Sequence, residues 1–186
     1  MKKVLLIGTL MLTVILSACS NNHSTSSAPA SEEEVQETVQ NFYNEMSKLD
    51  ELGKSSLAEF NEAIAAYSAG ELSDRQLEKK INEFQKTATD LSNQAEKVKI
   101  SSSLPEDIRK LLDESKIAFQ SAYSLKEQAS QGADSAEVTA EKFEELNQNA
   151  DVAMLYGISK LNEAREATGL IDSDGQPTAE SEKVQE

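Results

Sequence analysis

Cys19 is the only cysteine and His23 the only histidine in the 186 residues. A single thiol allows no intrachain disulfide and no multi-cysteine zinc site. His23 lies among serines and asparagines in residues 20–30, and a di-iron bundle would need Glu-x-x-His pairs on facing helices. Asp172-Ser173-Asp174-Gly175 has the opening of a calcium loop. An EF-hand loop closes on glutamate at its twelfth position, where this chain has Lys183. Glu144 and Glu145, like Glu32, Glu33 and Glu34, are sequence neighbours. Adjacent helical positions do not face each other, so these are poor acid–base pairs. Gly-x-Ser-x-Gly, Ser-x-x-Lys and Gly-rich phosphate loops are absent beyond residue 19. No enzyme, cofactor or metal is therefore expected. Tyr43 and Tyr67 neighbour apolar seam positions and, with Phe119, form a weak candidate groove for a sugar or peptide. The ordinary reading of such tyrosines is a half-buried ring with a wet hydroxyl.

The surroundings of Cys19 are more telling. Lys2 and Lys3 precede an uncharged run from Val4 to Leu16, and Leu16-Ser17-Ala18-Cys19 closes it. The run is about 15 residues long, short of the ~20 that span a bilayer core. This segment resembles the lipobox of bacterial lipoproteins. The resemblance implies a signal peptide over residues 1–18, cleavage before Cys19, and a diacylglyceryl group on its sulfur. Two acyl chains, at ~0.8 kcal/mol per buried methylene, hold a protein to a membrane stably. The expected location is extracytoplasmic, at the cell membrane of a Gram-positive organism by preference. The resemblance stops at residue 19 and names no activity.

Removing residues 1–18 takes two of the 18 basic residues and none of the 33 acidic ones, leaving 33 against 16 and a net charge of −17. Nucleic acids and anionic headgroups are bound by lysine and arginine patches, so no nucleic-acid partner is expected. There is no tryptophan, and Ala, Glu, Gln, Lys and Leu abound. That composition favours helices over sheet.

Residues 19–31 read as a flexible tether with a mean reach near ~20 Å. Ser31-x-x-Glu34 is a capping box at the head of a helix over about 32–68. Its apolar seam, Val35, Val39, Phe42, Met46, Leu49, runs on through Gly53, Ser56, Phe60, Ala63 and Tyr67. Gly70 should end it. Ser73-x-x-Gln76 opens a second helix, about 73–98, with an unbroken heptad seam from Leu77 to Val98. Pro105 opens a third, about 105–131, which Gly132 should close. A fourth, about 135–167, should stop at Gly169. Residues 169–186, acidic and without aromatics, read as a disordered tail.

Short connections at 70–72 and 132–134 make neighbouring helices antiparallel. The predicted fold is all-α: an up-down-up-down four-helix bundle over 32–168, with a two-hairpin assembly completed by another chain as the alternative. Turn positions predict three packing details. Residues 32–41 should overhang as a two-helix stalk on 158–167, with Val35 and Val39 against Leu161 and Ala164. Gly53, Ala88, Phe119 and Leu146 should share one layer. A pocket would open at that layer if Phe119 swung away.

Two functions suit this outline. The first is a lipid-anchored, non-enzymatic envelope protein that acts through contacts with another envelope protein. The alternative is a small-molecule-binding or sensory bundle. A contiguous exposed apolar patch would favour the first and a cavity with a polar group would favour the second.

Overall fold

Ser31 starts the folded region by capping its first helix. Its hydroxyl accepts from the Glu34 backbone N–H at 3.3 Å, and its own N–H donates to Glu34 Oε2 at 2.8 Å. The computed structural model describes residues 30–133 and 140–178. Cys19, His23 and the signal and tether segments before residue 30 lie outside them. Four helices follow in order: α1 (Glu32–Ser68), α2 (Asp74–Lys97), α3 (Glu106–Ala133) and α4 (Ala140–Ala167). No strand occurs among the described residues, only an isolated bridge between Ile171 and Pro177. The helices pack as a four-helix bundle.

Each helix buries one stripe. On α1, Val35, Val39, Phe42, Met46, Leu49, Phe60 and Ala63 are buried. On α2, Ile81, Phe84, Ala88, Leu91 and Ala95 are buried, as the heptad spacing requires. Tyr67 departs from the expected seam: it is exposed, and its hydroxyl donates to Asp74 Oδ1 at 2.9 Å beside the first turn.

The buried residues form two separate clusters. The larger joins the first half of α1 to the end of α2, the first two-thirds of α3 and the end of α4. Val39, Met46, Leu91, Leu112, Phe119 and Leu161 belong to it. The smaller lies near the α1–α2 turn and holds Phe60, Ile81 and Phe84, flanked by Leu57 and Leu77. Phe60 and Phe84 stack there with centroids 4.7 Å apart.

Val35 and Val39 share a core with Leu161 and Ala164 as expected, but not as a two-helix stalk. By ~1.5 Å per residue α1 outruns α2 by roughly 20 Å. The chain leaves α2 extended at Val98, with φ −60° and ψ 122°. It runs back beside α1, and the Ala30 N–H donates to the Ser103 carbonyl at 3.4 Å. Leu104 and Ile108 thereby join Val35 and Val39 in one core with Leu161 and Ala164. An extended residue covers about 3.3 Å, so the seven residues from Val98 to Leu104 are enough to cover the overhang.

Two helix ends also differ from expectation. α3 continues through Gly132 to Ala133. Glycine in a helix costs only ~1 kcal/mol against alanine, so it stops one only where it turns left-handed. Gly169 does so, with φ 75°. Gly169 N–H donates to Glu166 O at 3.0 Å and Leu170 N–H to Arg165 O at 2.9 Å, the paired bonds of a Schellman end.

The disordered reading of the tail fails for residues 169–178. Leu170 is fully buried and Ile171 nearly so. Asp172 Oδ1 accepts from the N–H groups of Asp174 and Gln176 at 2.9 and 2.8 Å. Thr178 N–H then donates to Leu170 O. Two aliphatic residues just past a helix end supply enough apolar burial to order a short turn. The same bonds explain the calcium-like motif, whose first carboxylate oxygen is occupied by backbone N–H groups.

Candidate functional site

The three residues of the sequence-predicted groove do not meet. Tyr43 lies near the start of α1, with the Arg165 guanidinium stacked 3.8 Å from its ring centroid. Tyr67 lies at the far end of α1 on Asp74. Phe119 is 1% exposed in the larger cluster.

Nor does the predicted layer form as drawn. Phe119 packs on Gly157, where a Cβ would stand 2.8 Å from Phe119 Cδ2. Gly157 lies roughly three turns past Leu146 on α4. Lys126 reaches across to Asn147 and Asp151 at 3.2 and 2.8 Å, the same longer register. α3 runs on to Ala133, through the expected stop at Gly132, and the register between α3 and α4 is longer than expected by several residues. Residues 134–139 lie outside the described residues.

Tyr123, one turn along from Phe119, faces Gly53 instead. A Cβ on Gly53 would stand 2.9 Å from Tyr123 Cε1 and 3.5 Å from Leu91 Cδ1. Small residues on three helices leave space at this level. A cavity of about 240 Å3 results, and all four helices contribute to it. α1 supplies Gly53 and Leu57, α2 supplies Phe84, Ala88 and Leu91, α3 supplies Tyr123, and α4 supplies Ala150 and Met154. Phe84 and Leu57 belong to the smaller cluster and Leu91 and Tyr123 to the larger. The cavity is the gap between the two.

Ser56 and Thr87 also line the cavity. Tyr123 is 3% exposed and its hydroxyl has no hydrogen-bond partner in the protein. Burial, and secondarily the Asp50 carboxylate, push its ionisation well above the ordinary tyrosine range. Two ion pairs stand at the rim, Lys54 on Asp50 at 2.6 Å and Lys126 on Asp151 at 2.8 Å. A smaller void of about 190 Å3, with Asn61, Ser130 and Asn147 in its wall, shares Leu57, Phe84 and Lys126 with it.

A second surface feature is a groove along the outside of α3 and α4. Ile117, Val152, Leu155 and Tyr156 are 60%, 66%, 67% and 48% exposed. Ile117, Val152 and Tyr156 line the groove with Ala118, Ala153 and Glu114. The Tyr156 hydroxyl donates to Glu114 Oε2 at 3.1 Å, which fixes one wall.

No group of acidic or histidine side chains among the described residues is placed to hold a metal. No described helix is long and apolar enough to cross a membrane. No protein-family model, curated protein or solved structure matches the chain.

Sequence reasoning missed Tyr123 as a site residue. The available signal was Gly53, a glycine on a seam where leucine or isoleucine is expected, which marks a close approach by something large.

Proposed function

We propose that this chain is a lipid-anchored, non-enzymatic envelope protein whose bundle works by holding another envelope protein. Cys19 would carry the lipid and set the bundle outside the cytoplasmic membrane, with no role for nucleic acid. The observation that carries this reading is the groove of Ile117, Val152 and Tyr156 with Ala118 and Ala153. Single exposed apolar residues are ordinary, but three lining one groove between two helices are characteristic of a contact surface. Tyrosine and branched aliphatic residues with little charge between them are the usual centre of such a surface. Glu114 at the groove wall and the chain's net charge of −15 favour a partner with an apolar ridge flanked by basic residues.

The test places a photo-crosslinking residue at Val152 in cells and, as a control, at exposed Lys79 on α2. A discrete crosslinked product at 152 alone, lost with Ile117→Asp, is expected. No product at 152, or one that survives Ile117→Asp unchanged, would overturn the reading.

A further inference from the structure

The cavity between the two apolar clusters shares no residue with the Val152 groove, so the contact reading leaves it unexplained. An engineered cavity of ~150 Å3 takes up benzene, a body of six carbons. In the same proportion, about 240 Å3 holds roughly nine or ten carbons. Leu57, Phe84, Leu91 and Met154 give this space its apolar wall. The smaller void adjoins it at Leu57, Phe84 and Lys126, and there the wall turns polar, with Asn61, Ser130 and Asn147. The two together form an apolar chamber with one polar end.

Lys126 marks that end. Its ammonium donates to Asp151 Oδ1 at 2.8 Å and to Asn147 Oδ1 at 3.2 Å. Asp151 lines the first void and Asn147 the second, so the charge stands at their junction. A lysine at a protein surface ordinarily carries its ammonium out into water. The Lys126 side chain is instead only 14% exposed, while that of its partner Asp151 is 66% exposed. An ion pair with a solvated partner contributes little, so another carboxylate can take the place of Asp151 at small cost. Asp50 would oppose a guest's negative charge, but Lys54 pairs with it at 2.6 Å. Asp50 also lies about 10 Å before Leu57 along α1, away from the smaller void. We propose that the cavity binds an anionic amphiphile, a fatty acid of about eight to ten carbons. Its tail lies against Leu57, Phe84, Leu91 and Met154, and its carboxylate accepts from Lys126 in place of Asp151.

Octanoate, 1-octanol and octylammonium are the probes, alike in the tail and differing in the charge of the head. They are titrated, below micelle-forming concentrations, into residues 19–186 carrying Cys19→Ser. That segment keeps both clusters and all four helices, and amide NMR shifts at Gly53, Ala88 and Ala150 are the readout. Octanoate should saturate these shifts and bind about tenfold tighter than octanol, the size of one charge-assisted hydrogen bond, with octylammonium weakest. Lys126→Met keeps the aliphatic stem and removes the charge. It should abolish the preference for octanoate and leave octanol affinity within about twofold, with Lys126→Gln as the substitute should that variant not fold. Asp151→Asn removes the competing carboxylate at an exposed position, and should tighten octanoate about threefold while leaving octanol unchanged. Absence of saturable shifts, octanol or octylammonium binding as tightly as octanoate, a preference that survives Lys126→Met, or an Asp151→Asn variant that binds octanoate no tighter would overturn the proposal. Crosslinking at Val152 is expected to be unchanged in Lys126→Met, so failure here and failure of the contact reading are separable.

Discussion

Phe119 of α3 lies directly on Gly157 of α4, with Ala118 beside it: a Cβ at 157 would stand 2.8 Å from Phe119 Cδ2 and 3.2 Å from Ala118 Cβ. Both neighbours are buried, so the ring has little room to yield. Alanine would gain ~1 kcal/mol of helix propensity at 157, whereas overpacking costs ~1–3 kcal/mol. Gly157→Ala is expected to destabilise the bundle by about 1 kcal/mol in urea unfolding. The loss should vanish in a Phe119→Leu background. A gain in stability would show that the ring moves freely. Phe119→Ala itself should cost ~3–5 kcal/mol.

Tyr123→Phe is expected to raise stability by about 1 kcal/mol, because it removes a buried hydroxyl that has no partner. The measurement is chemical denaturation. A loss of more than ~0.5 kcal/mol would mean that the hydroxyl is satisfied in solution.

Leu170 closes the end of the bundle beyond Gly169. Leu170→Ala should cost ~2–5 kcal/mol, as for other fully buried leucines. Asp172→Ala should release the Ile171–Pro177 bridge with a smaller loss, visible as faster amide exchange at Asp174 and Gln176. A Leu170→Ala variant as stable as wild type would return these residues to the status of a free tail.

The Glu34 carboxyl is held below its ordinary value of 4.5, first by the Ser31 N–H and then by the Ser31 hydroxyl. Its folded-state value lies below its unfolded one. The stabilisation it gives α1 is therefore complete above the ordinary glutamate value and is lost as pH falls through the depressed one. Carbon-detected NMR titration should find Glu34 below the exposed glutamates. In Ser31→Ala that difference should shrink. A Glu34 titrating with the others would break the capping box.

Cys19→Ala tests the anchor. As the only thiol it is the only possible site of thioether lipid, so the variant should leave the membrane fraction or stay unprocessed. A variant that is processed and still sediments with membranes like wild type would end the lipoprotein reading.

The number, type and approximate extent of the helices were legible in residue spacing alone, because a buried stripe and a capping box are local properties. The Val35-to-Leu49 seam, the Leu77-to-Val98 heptads, Ser31 with Glu34 and the stop at Gly169 all act within a few turns of chain. Gly53 could likewise be marked as an anomaly. What faced it was not legible. The partner of Gly53 depends on the register between α3 and α4, which pairs Phe119 with Gly157 rather than Leu146 and brings Tyr123 to Gly53. The covering of α1 by residues 98–104, and the burial of Leu170, likewise join segments far apart in sequence. No periodic pattern records such pairings, because they are decided by which apolar surfaces are left uncovered once the helices have met. The cavity belongs to the same class: it is the space between two cores whose positions only the packed helices determine.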